Sequence, residues 1–403
     1  MPTFPRRSVE EHAEHVERLL SRAVETGEET VPVEDAAGRV TARRVDSPVD
    51  LPLFRNSQMD GFAVVASDVA DAPVTLPVVG EIAARPLTPV ALEPGTTVRI
   101  MTGAVVPDGA DAIVPVEDSS AAERDEHGRE TVRIGRARVA GEYVRERGSD
   151  ARAGDELLPA GVRLASRHLA VLSAAGLTAV SVRRRVRVAV VTTGAELLAP
   201  GSVPVSGQVF DSNGTALAAA VRAAGAEVVA RERVADDPDA FRRVLAAATA
   251  QADLVLTSGG ISMGDFEVVR ESLEPLGAEV GSVAMQPGGP QATAIVDGVP
   301  VVCFPGNPVS TQLSFEVFVA PLLRRAAGLS ARSVSTRALA EDVRSVAGKR
   351  QFLRAHDNGS VVRLVSGPGS HLVAGLAAAD ALAIVPEAAS ELRAGDLVEV
   401  WAL

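Results

Sequence analysis

Cysteine is nearly absent from this 403-residue chain, where Cys303 stands alone. That excludes an intramolecular disulfide and any metal cluster built on cysteine. Lysine is equally scarce: Lys349 is the only one, and all the other positive side chains among the 40 Lys and Arg residues are arginine. The chain is Arg-biased, so a missing lysine alone says little about function. Aromatic residues make up 3%, and cores must therefore be built from Val, Leu and Ala. No apolar run approaches the ~20 residues that a membrane span needs. The opening stretch, MPTFPRRSVEEHAEHVERLL, turns polar and helical at once, without the apolar segment of a signal peptide. A cytoplasmic protein with no membrane partner is expected. The net charge of −12 opposes nucleic-acid binding, which rests on Lys and Arg neutralising phosphates.

What is present divides the chain into stretches of different character. At 100–200 residues per domain, roughly two to four domains are expected. Ser8 to Thr26 reads as an amphipathic helix, with Val9, Val16, Leu19, Leu20 and Val24 on one side. From Asp46 to Tyr143, Pro and Gly separate short β-rich runs: Phe62–Val65, Val74–Val79, Thr97–Ile100, Ala112–Val116 and Thr131–Ile134. The charged stretch Glu123–Glu130 reads as an exposed hairpin tip. Helix returns at Ala165, and this segment is expected to pack with the N-terminal helix, making the β segment an insertion into a helical domain. From Val186 strand and helix alternate, which specifies a doubly wound parallel sheet. After Gly328 short strands return (Gln351–Ala355, Val361–Val365, Ala381–Val385, Leu397–Trp401), which suggests a small β-barrel. The expected architecture is multidomain α/β and β. It has a helical, mixed domain from 1–45 plus 147–180, an inserted β domain over 46–146, an α/β domain over 181–328, and a C-terminal β-barrel over 329–403.

In an open α/β sheet, ligands bind beyond the carboxyl ends of the strands. Thr192-Thr193-Gly194-Ala195-Glu196 follows the first strand there. Ser258-Gly259-Gly260 and the residues through Asp265 follow a middle strand, and Pro305-Gly306-Asn307-Pro308-Val309-Ser310 opens the last long helix. Each loop alone is an ordinary β–α turn. Three together at one edge, with small hydroxyls and free N–H groups at helix starts, suit an anionic group such as phosphate. The same edge carries Glu196, Asp211, Asp236, Asp237, Asp265 and Glu267. Two unit charges ~4 Å apart repel by about 4 kcal/mol at an effective dielectric of 20. Such a group therefore calls for protons or a cation, and oxygen-only ligands suit Mg²⁺. Asp237 reads better as a helix cap, and Asp265 reads equally as a cap or a ligand. Upstream, NSQMDGFAV, RIMTG and RGSD read individually as turns.

Taken together and in order, NSQMDGFAV, RIMTGAVVP, GEYVRERGSDARAGDELLPAG, VAVVTTGAELL, VFDSNGTAL, ADDPDA, LTSGGISMGD, VCFPGNPVS, RQFLRA and GPGSHL resemble one family. It is the molybdopterin molybdenumtransferases, the molybdenum insertases of molybdenum-cofactor biosynthesis. The resemblance extends from about Val9 to Trp401. It implies four domains, a homodimer, and an active site where one subunit's α/β domain faces another subunit's β segment. It implies a transferase that, with Mg²⁺, inserts molybdate into adenylylated molybdopterin and releases AMP. Molybdopterin adenylyltransferase and apo-molybdoenzymes are the further partners it suggests. Carried over by motif, Asp60, Thr102, Asp150, Glu196, Asp211 and Asp236 are the expected catalytic positions. Thr193, Gly194, Ser258, Gly259, Gly260, Pro305, Gly306, Asn307, Pro308, Ser310, Arg354 and Ser370 are expected to bind molybdopterin or molybdate. Glu196, Asp236, Asp265 and Glu267 are the expected metal ligands.

Three positions depart from the family pattern. Where the family commonly has Lys-Pro-Gly-Lys-Pro, this chain has Gln286-Pro287-Gly288-Gly289-Pro290, which lacks two positive charges. Glu267 stands at a position that is often Asp, and Lys349 at one that is often Arg. The first departure keeps open an alternative, a non-catalytic or altered paralogue that binds molybdopterin or a partner protein. A molybdopterin adenylyltransferase fits less well, because its α/β unit would account only for Val186–Gly328.

Overall fold

The structure is a computed structural model that describes residues 3–25, 27–120, 123–261 and 268–403. It divides into two compact units, one formed by Met1–Glu29 with Arg183–Leu403 and the other by Thr30–Val182. Among the described residues no helix is long and apolar enough to cross a membrane.

The first unit is organised by a seven-stranded sheet. Its strands in chain order are β1 (Thr3–Arg7), β2 (Arg187–Thr193), β3 (Glu227–Val234), β4 (Leu254–Ser258), β5 (Glu279–Val283), β6 (Pro290–Val296) and β7 (Val299–Phe304). Across the sheet they lie in the order β1-β5-β6-β7-β4-β2-β3. In β2 every residue from Val188 to Thr193 is buried. Val188 and Val190 enter one apolar core with Leu254, Leu256, Val302 and Phe304. Ala189 and Val191 enter another with Val255, Val301 and Cys303. That is the period-2 signature of a strand covered on both faces. The helices covering them include α1 (Val9–Val24), α2 (Ser212–Ala223), α3 (Pro238–Thr249) and α4 (Val268–Leu273).

The parallel sheet expected from the strand–helix alternation is in fact mixed. β7 runs antiparallel to β6, and β6 antiparallel to β5. The cause is local. Asp297 and Gly298 take positive φ, 51° and 80°, which is the Asp-Gly geometry of a tight hairpin turn matched to strand twist. No helix can intervene between β6 and β7.

The helix over Val9–Val24 forms as expected, started by a capping box. Glu11 N donates to Ser8 Oγ at 3.1 Å, and Ser8 N donates to Glu11 Oε2 at 2.7 Å. Its expected partner is wrong. Val9, Val16 and Leu20 are buried in the core that holds Val188 and Phe318, whereas Leu172 of the helix Ser166–Ala174 is buried with Val33, Ala36, Leu158, Leu164 and Val182. β1, which sequence pattern did not reveal, pairs parallel with β5 and ties the same segment to the sheet edge.

At the carboxyl end, Val334–Leu339, Arg350–Asp357, Val361–Leu364, Ala381–Val385 and Leu397–Ala402 close into a barrel. Met285–Gln286 joins it by pairing parallel with Arg350–Gln351.

The second unit carries a six-stranded sheet, in the order Ala112–Pro115, Gly61–Val64, Thr97–Ile100, Val74–Ile82, Glu130–Ile134 and Glu123–Arg124. The hairpin expected over Glu123–Glu130 is present. Gly61 is dictated by packing, since a Cβ there would lie 2.0 Å from the Val114 carbonyl oxygen.

His12, on the buried face of α1, packs edge-on against Phe318 with ring centroids 4.7 Å apart. Burial, with His15 and Arg7 nearby, pulls its pKa down from 6.5 to about 3. Because the folded value is depressed, the unfolded chain binds the extra proton between these limits. Stability is then full above about pH 6.5 and is lost as pH falls toward 3. We expect the native state to lose about 2 kcal/mol between pH 7.5 and pH 5 from this group. Urea unfolding of wild type and His12→Leu at both pH values checks this, and an unchanged pH dependence in the variant would refute it.

Candidate active site

The carboxyl ends of β2, β4 and β7 meet in a cleft of about 1040 Å³ within the first unit. Fourteen of the expected positions line it: Thr193, Gly194, Glu196, Asp211, Asp236, Ser258, Gly259, Gly260, Pro305, Gly306, Asn307, Pro308, Ser310 and Ser370. Its remaining wall includes Met285 to Pro290, Lys349 and the Pro368–His371 turn of the barrel.

The glycines of the β4 loop are required by contact. Gly259 has φ +98°, and a Cβ there would lie 2.4 Å from Thr193 O. Gly260 has φ +66°, and its Cβ would meet Val269 Cγ2 at 2.8 Å. The β7 loop presses on the same point, since a Cβ at Gly306 would touch Gly259 Cα at 3.4 Å. Ser258 and Thr311 hydroxyls lie 3.0 Å apart, and Thr311 Oγ1 donates to Pro305 O at 2.6 Å. Sequence reading missed Asn213, whose amide joins these loops by donating to Ser258 Oγ at 2.8 Å and Gly306 O at 2.7 Å. Its place beside Asp211 in Asp-Ser-Asn-Gly was the available signal, since short polar side chains at a helix start bond to nearby backbone.

The carboxylates differ in what holds them. Asp211 is buried and caps α2, with Oδ1 accepting from Gly214 N at 2.9 Å and Oδ2 from Thr192 Oγ1 at 2.9 Å. It therefore has a structural duty that the sequence reading did not assign. Asp236 Oδ2 accepts from Ala195 N at 2.9 Å, which anchors the β2 loop beside Glu196. Asp237 caps α3, as expected, by accepting from Asp239 N and Ala240 N. Asp265 and Glu267 lie outside the described residues. Among the described residues no three His, Cys, Asp or Glu side chains group tightly enough to hold a metal by themselves. Mg²⁺ does not require such a group, because it keeps several waters and takes one or two carboxylates plus substrate phosphates. Glu196 and Asp236, both exposed in the cleft, fit that donor set.

Arg354 does not line the cleft. It is fully buried, and its guanidinium donates to Ser366 Oγ at 2.9 Å and to the carbonyls of Gly367 and Gly369. It shapes the turn that presents Ser370, whose own carbonyl accepts from Val309 N at 3.1 Å. Asp60, Thr102 and Asp150 belong to the other unit. Asp60 Oδ1 accepts from Thr102 N at 2.6 Å and from Thr102 Oγ1 at 2.9 Å. These bonds, backbone first, hold its carboxyl below the usual range. Asp150 N donates to Leu51 O at 2.9 Å in a neighbouring turn.

Fold and cleft together define an α/β protein with a small-molecule site at its strand ends, of the kind that suits phosphate-bearing ligands. Comparison with known proteins makes this specific. The family model described as the MoeA N-terminal region (domain I and II) matches residues 7–176, the probable molybdopterin binding domain matches 189–325, and the MoeA C-terminal region (domain IV) matches 336–403. Molybdopterin molybdenumtransferase 2 of Mycobacterium tuberculosis is 41% identical, covering 98% of this chain and 100% of that protein. Molybdopterin molybdenumtransferase 1 of the same organism is 36% identical over 98% of each. The crystal structure of a molybdopterin biosynthesis MoeA protein from Pyrococcus horikosii superposes with a TM-score of 0.81, at 32% identity and 99% coverage of both chains. The chain belongs to the molybdopterin molybdenumtransferase family.

Gly259→Ala should destabilise the native state by about 2–4 kcal/mol, since it adds both backbone strain and a clash with Thr193. Gly201→Ala is the control: it also has positive φ, 92°, but open space around it, so it carries the strain without the clash. Equal losses in thermal or urea unfolding would show that the loop contact contributes nothing.

Proposed function

We propose that this chain is a molybdenum insertase that transfers molybdate into adenylylated molybdopterin, with Mg²⁺, to give the molybdenum cofactor and AMP. The observation that carries this reading is the convergence of three glycine loops, two exposed carboxylates and a barrel turn on one cleft. Gly259, Gly260 and the Pro305–Pro308 loop bring backbone close enough to hold a phosphorylated pterin. Thr193, Gly194, Ser258 and Ser310 add small hydroxyls and N–H groups along the same wall. Glu196 and Asp236 would hold Mg²⁺, which when bound offsets negative charge developing on a phosphoanhydride. Asp211 keeps the start of α2 closed against the β2 loop. Ser370 and the turn held by Arg354 supply donors at the barrel side, where a dianion needs groups that are not carboxylates.

Asp60, Thr102 and Asp150 are assigned to the same reaction. The Asp60 carboxyl is exposed and is kept below its usual range by the bonds from Thr102, so that surface presents an anion as well as a tie between two turns. The proposal includes a homodimer acting in the cytoplasm, with apo-molybdoenzymes as recipients of the product. The neutral segment Gln286–Pro290 favours a second reading, a paralogue that binds molybdopterin without turnover.

One assay separates the two readings. Purified protein is incubated with adenylylated molybdopterin, Mg²⁺ and molybdate, and both AMP release and activation of an apo-molybdoenzyme are followed. Tight molybdopterin binding with neither output would rule out the insertase. In the same assay Asp60→Ala should lower kcat by roughly a hundredfold or more, on the scale of losing a charge that positions reacting groups. Its melting temperature should stay that of the wild type. A lower melting temperature with normal turnover would return Asp60 to a turn-forming role.

A further inference from the structure

The cleft wall carries three carboxylates, Glu196, Asp211 and Asp236, but only one Lys or Arg side chain among the described residues, Lys349. It is also the only lysine in the chain. Three basic residues lie just before or within one barrel strand, Arg350–Asp357, and meet different fates. Arg350 is committed to ion pairs with Glu10 at 2.5 Å and Glu387 at 2.8 Å. Arg354 is fully buried and bound to loop carbonyls. Lys349 is half-buried, faces the cleft, and makes no ion pair with any described residue.

Its placement follows from strand pairing. Met285–Gln286 runs parallel to Arg350–Gln351, and Arg350 N donates to Ala284 O at 2.9 Å. The backbone of Lys349 is thereby held beside the segment 285–290, which is itself neutral. Gln286 Oε1 accepts from Gln351 Nε2 at 2.8 Å. Gln291 Nε2 donates to Gly288 O at 2.8 Å and to Ser314 Oγ at 2.7 Å. An anion entering the cleft is repelled by the three carboxylates, and among the described lining residues Lys349 is the one Lys or Arg side chain that offsets them. Lysine also differs from arginine in kind. An ammonium is a compact point charge on a flexible stem, which suits a tetrahedral anion, whereas guanidinium prefers planar two-point contacts.

We propose that Lys349 is the cation that binds a tetrahedral dianion in this cleft. The inference rests on the insertase reading, which places two such groups among the substrates, molybdate and the pterin's phosphate. Calorimetric titration of molybdate, and separately of inorganic phosphate, onto the full-length protein tests it. Lys349→Met should weaken binding of at least one of these anions by tenfold or more, and Lys349→Arg should weaken it by less than threefold. The anion affected identifies which group Lys349 holds. Gly289 lines the same cleft, and a Cβ there makes only ordinary contacts, the nearest at 3.6 Å. Lys349→Met combined with Gly289→Lys should therefore regain most of the lost affinity.

Equal affinity of wild type and Lys349→Met for both anions overturns the proposal, as does wild type binding neither at 10 mM. Turnover separates this inference from the reading beneath it. If Lys349→Met releases AMP with an unchanged molybdate KM and an unchanged KM for adenylylated molybdopterin, the insertase stands and Lys349 falls. If wild type releases no AMP but its anion binding still depends on Lys349, the insertase falls and Lys349 stands.

Discussion

The approach of backbone to backbone at Gly259 is the constraint on which the cleft depends. Thr193 O lies where a Cβ of residue 259 would have to go, and Gly306 meets the same glycine from the other side. Three strand ends can converge this closely only where side chains are missing, and the sheet supplies that convergence because β2, β4 and β7 are adjacent and parallel. Burial of these strands on both faces fixes their register, since a one-residue slip would turn Val188 and Val190 into the opposite core. Core and site are thus one problem: apolar packing sets where the loops emerge, and the glycines let them touch.

Once assembled, the cleft has a polarity. One side is made of carboxylates whose orientation comes from the backbone: Asp211 is held by Gly214 N, and Asp236 by Ala195 N. The other side is made by the barrel, through Lys349 and the Pro368–His371 turn. A cation and an anion can be accommodated together because groups of both signs line a common space. The parallel bridge from Met285–Gln286 to Arg350–Gln351 is what joins the barrel to that space. The barrel is therefore part of the site, and an isolated α/β domain would retain the acidic half without the basic one.

Much of this was legible in the sequence, because the signals were local. Apolar runs ending in Gly located the parallel strands, and Asp237 before Pro238 located a capped helix. All of the β-rich runs between Phe62 and Ile134 became strands of one sheet. The failures were of another sort. The amphipathic face of Val9–Val24 announced a helix but could not name the surface it covers, and it packs with Phe318 rather than Leu172. Asp297-Gly298 was a readable hairpin signal that the strand–helix rhythm overrode. β1 was illegible, because Thr3–Arg7 is a short edge strand without alternation, and its partner lies far along the chain. At the site, motif and position picked out the lining residues. They could not show that Arg354 acts through a turn, or that Asn213 ties two loops together.

The division of labour between arginine and lysine follows from the same geometry. A planar, five-donor guanidinium is useful where several carbonyls must be gathered at fixed angles, and Arg354 gathers Gly367 and Gly369 in that way. Arg350 likewise spans two carboxylates from different parts of the unit. Both are already engaged in the resting protein, Arg350 with two acids and Arg354 with the turn it holds. A cation meant for a transient anion must be without such partners in the resting protein and able to move. Beside this strand that description fits Lys349, which lines the cleft and makes no ion pair with any described residue.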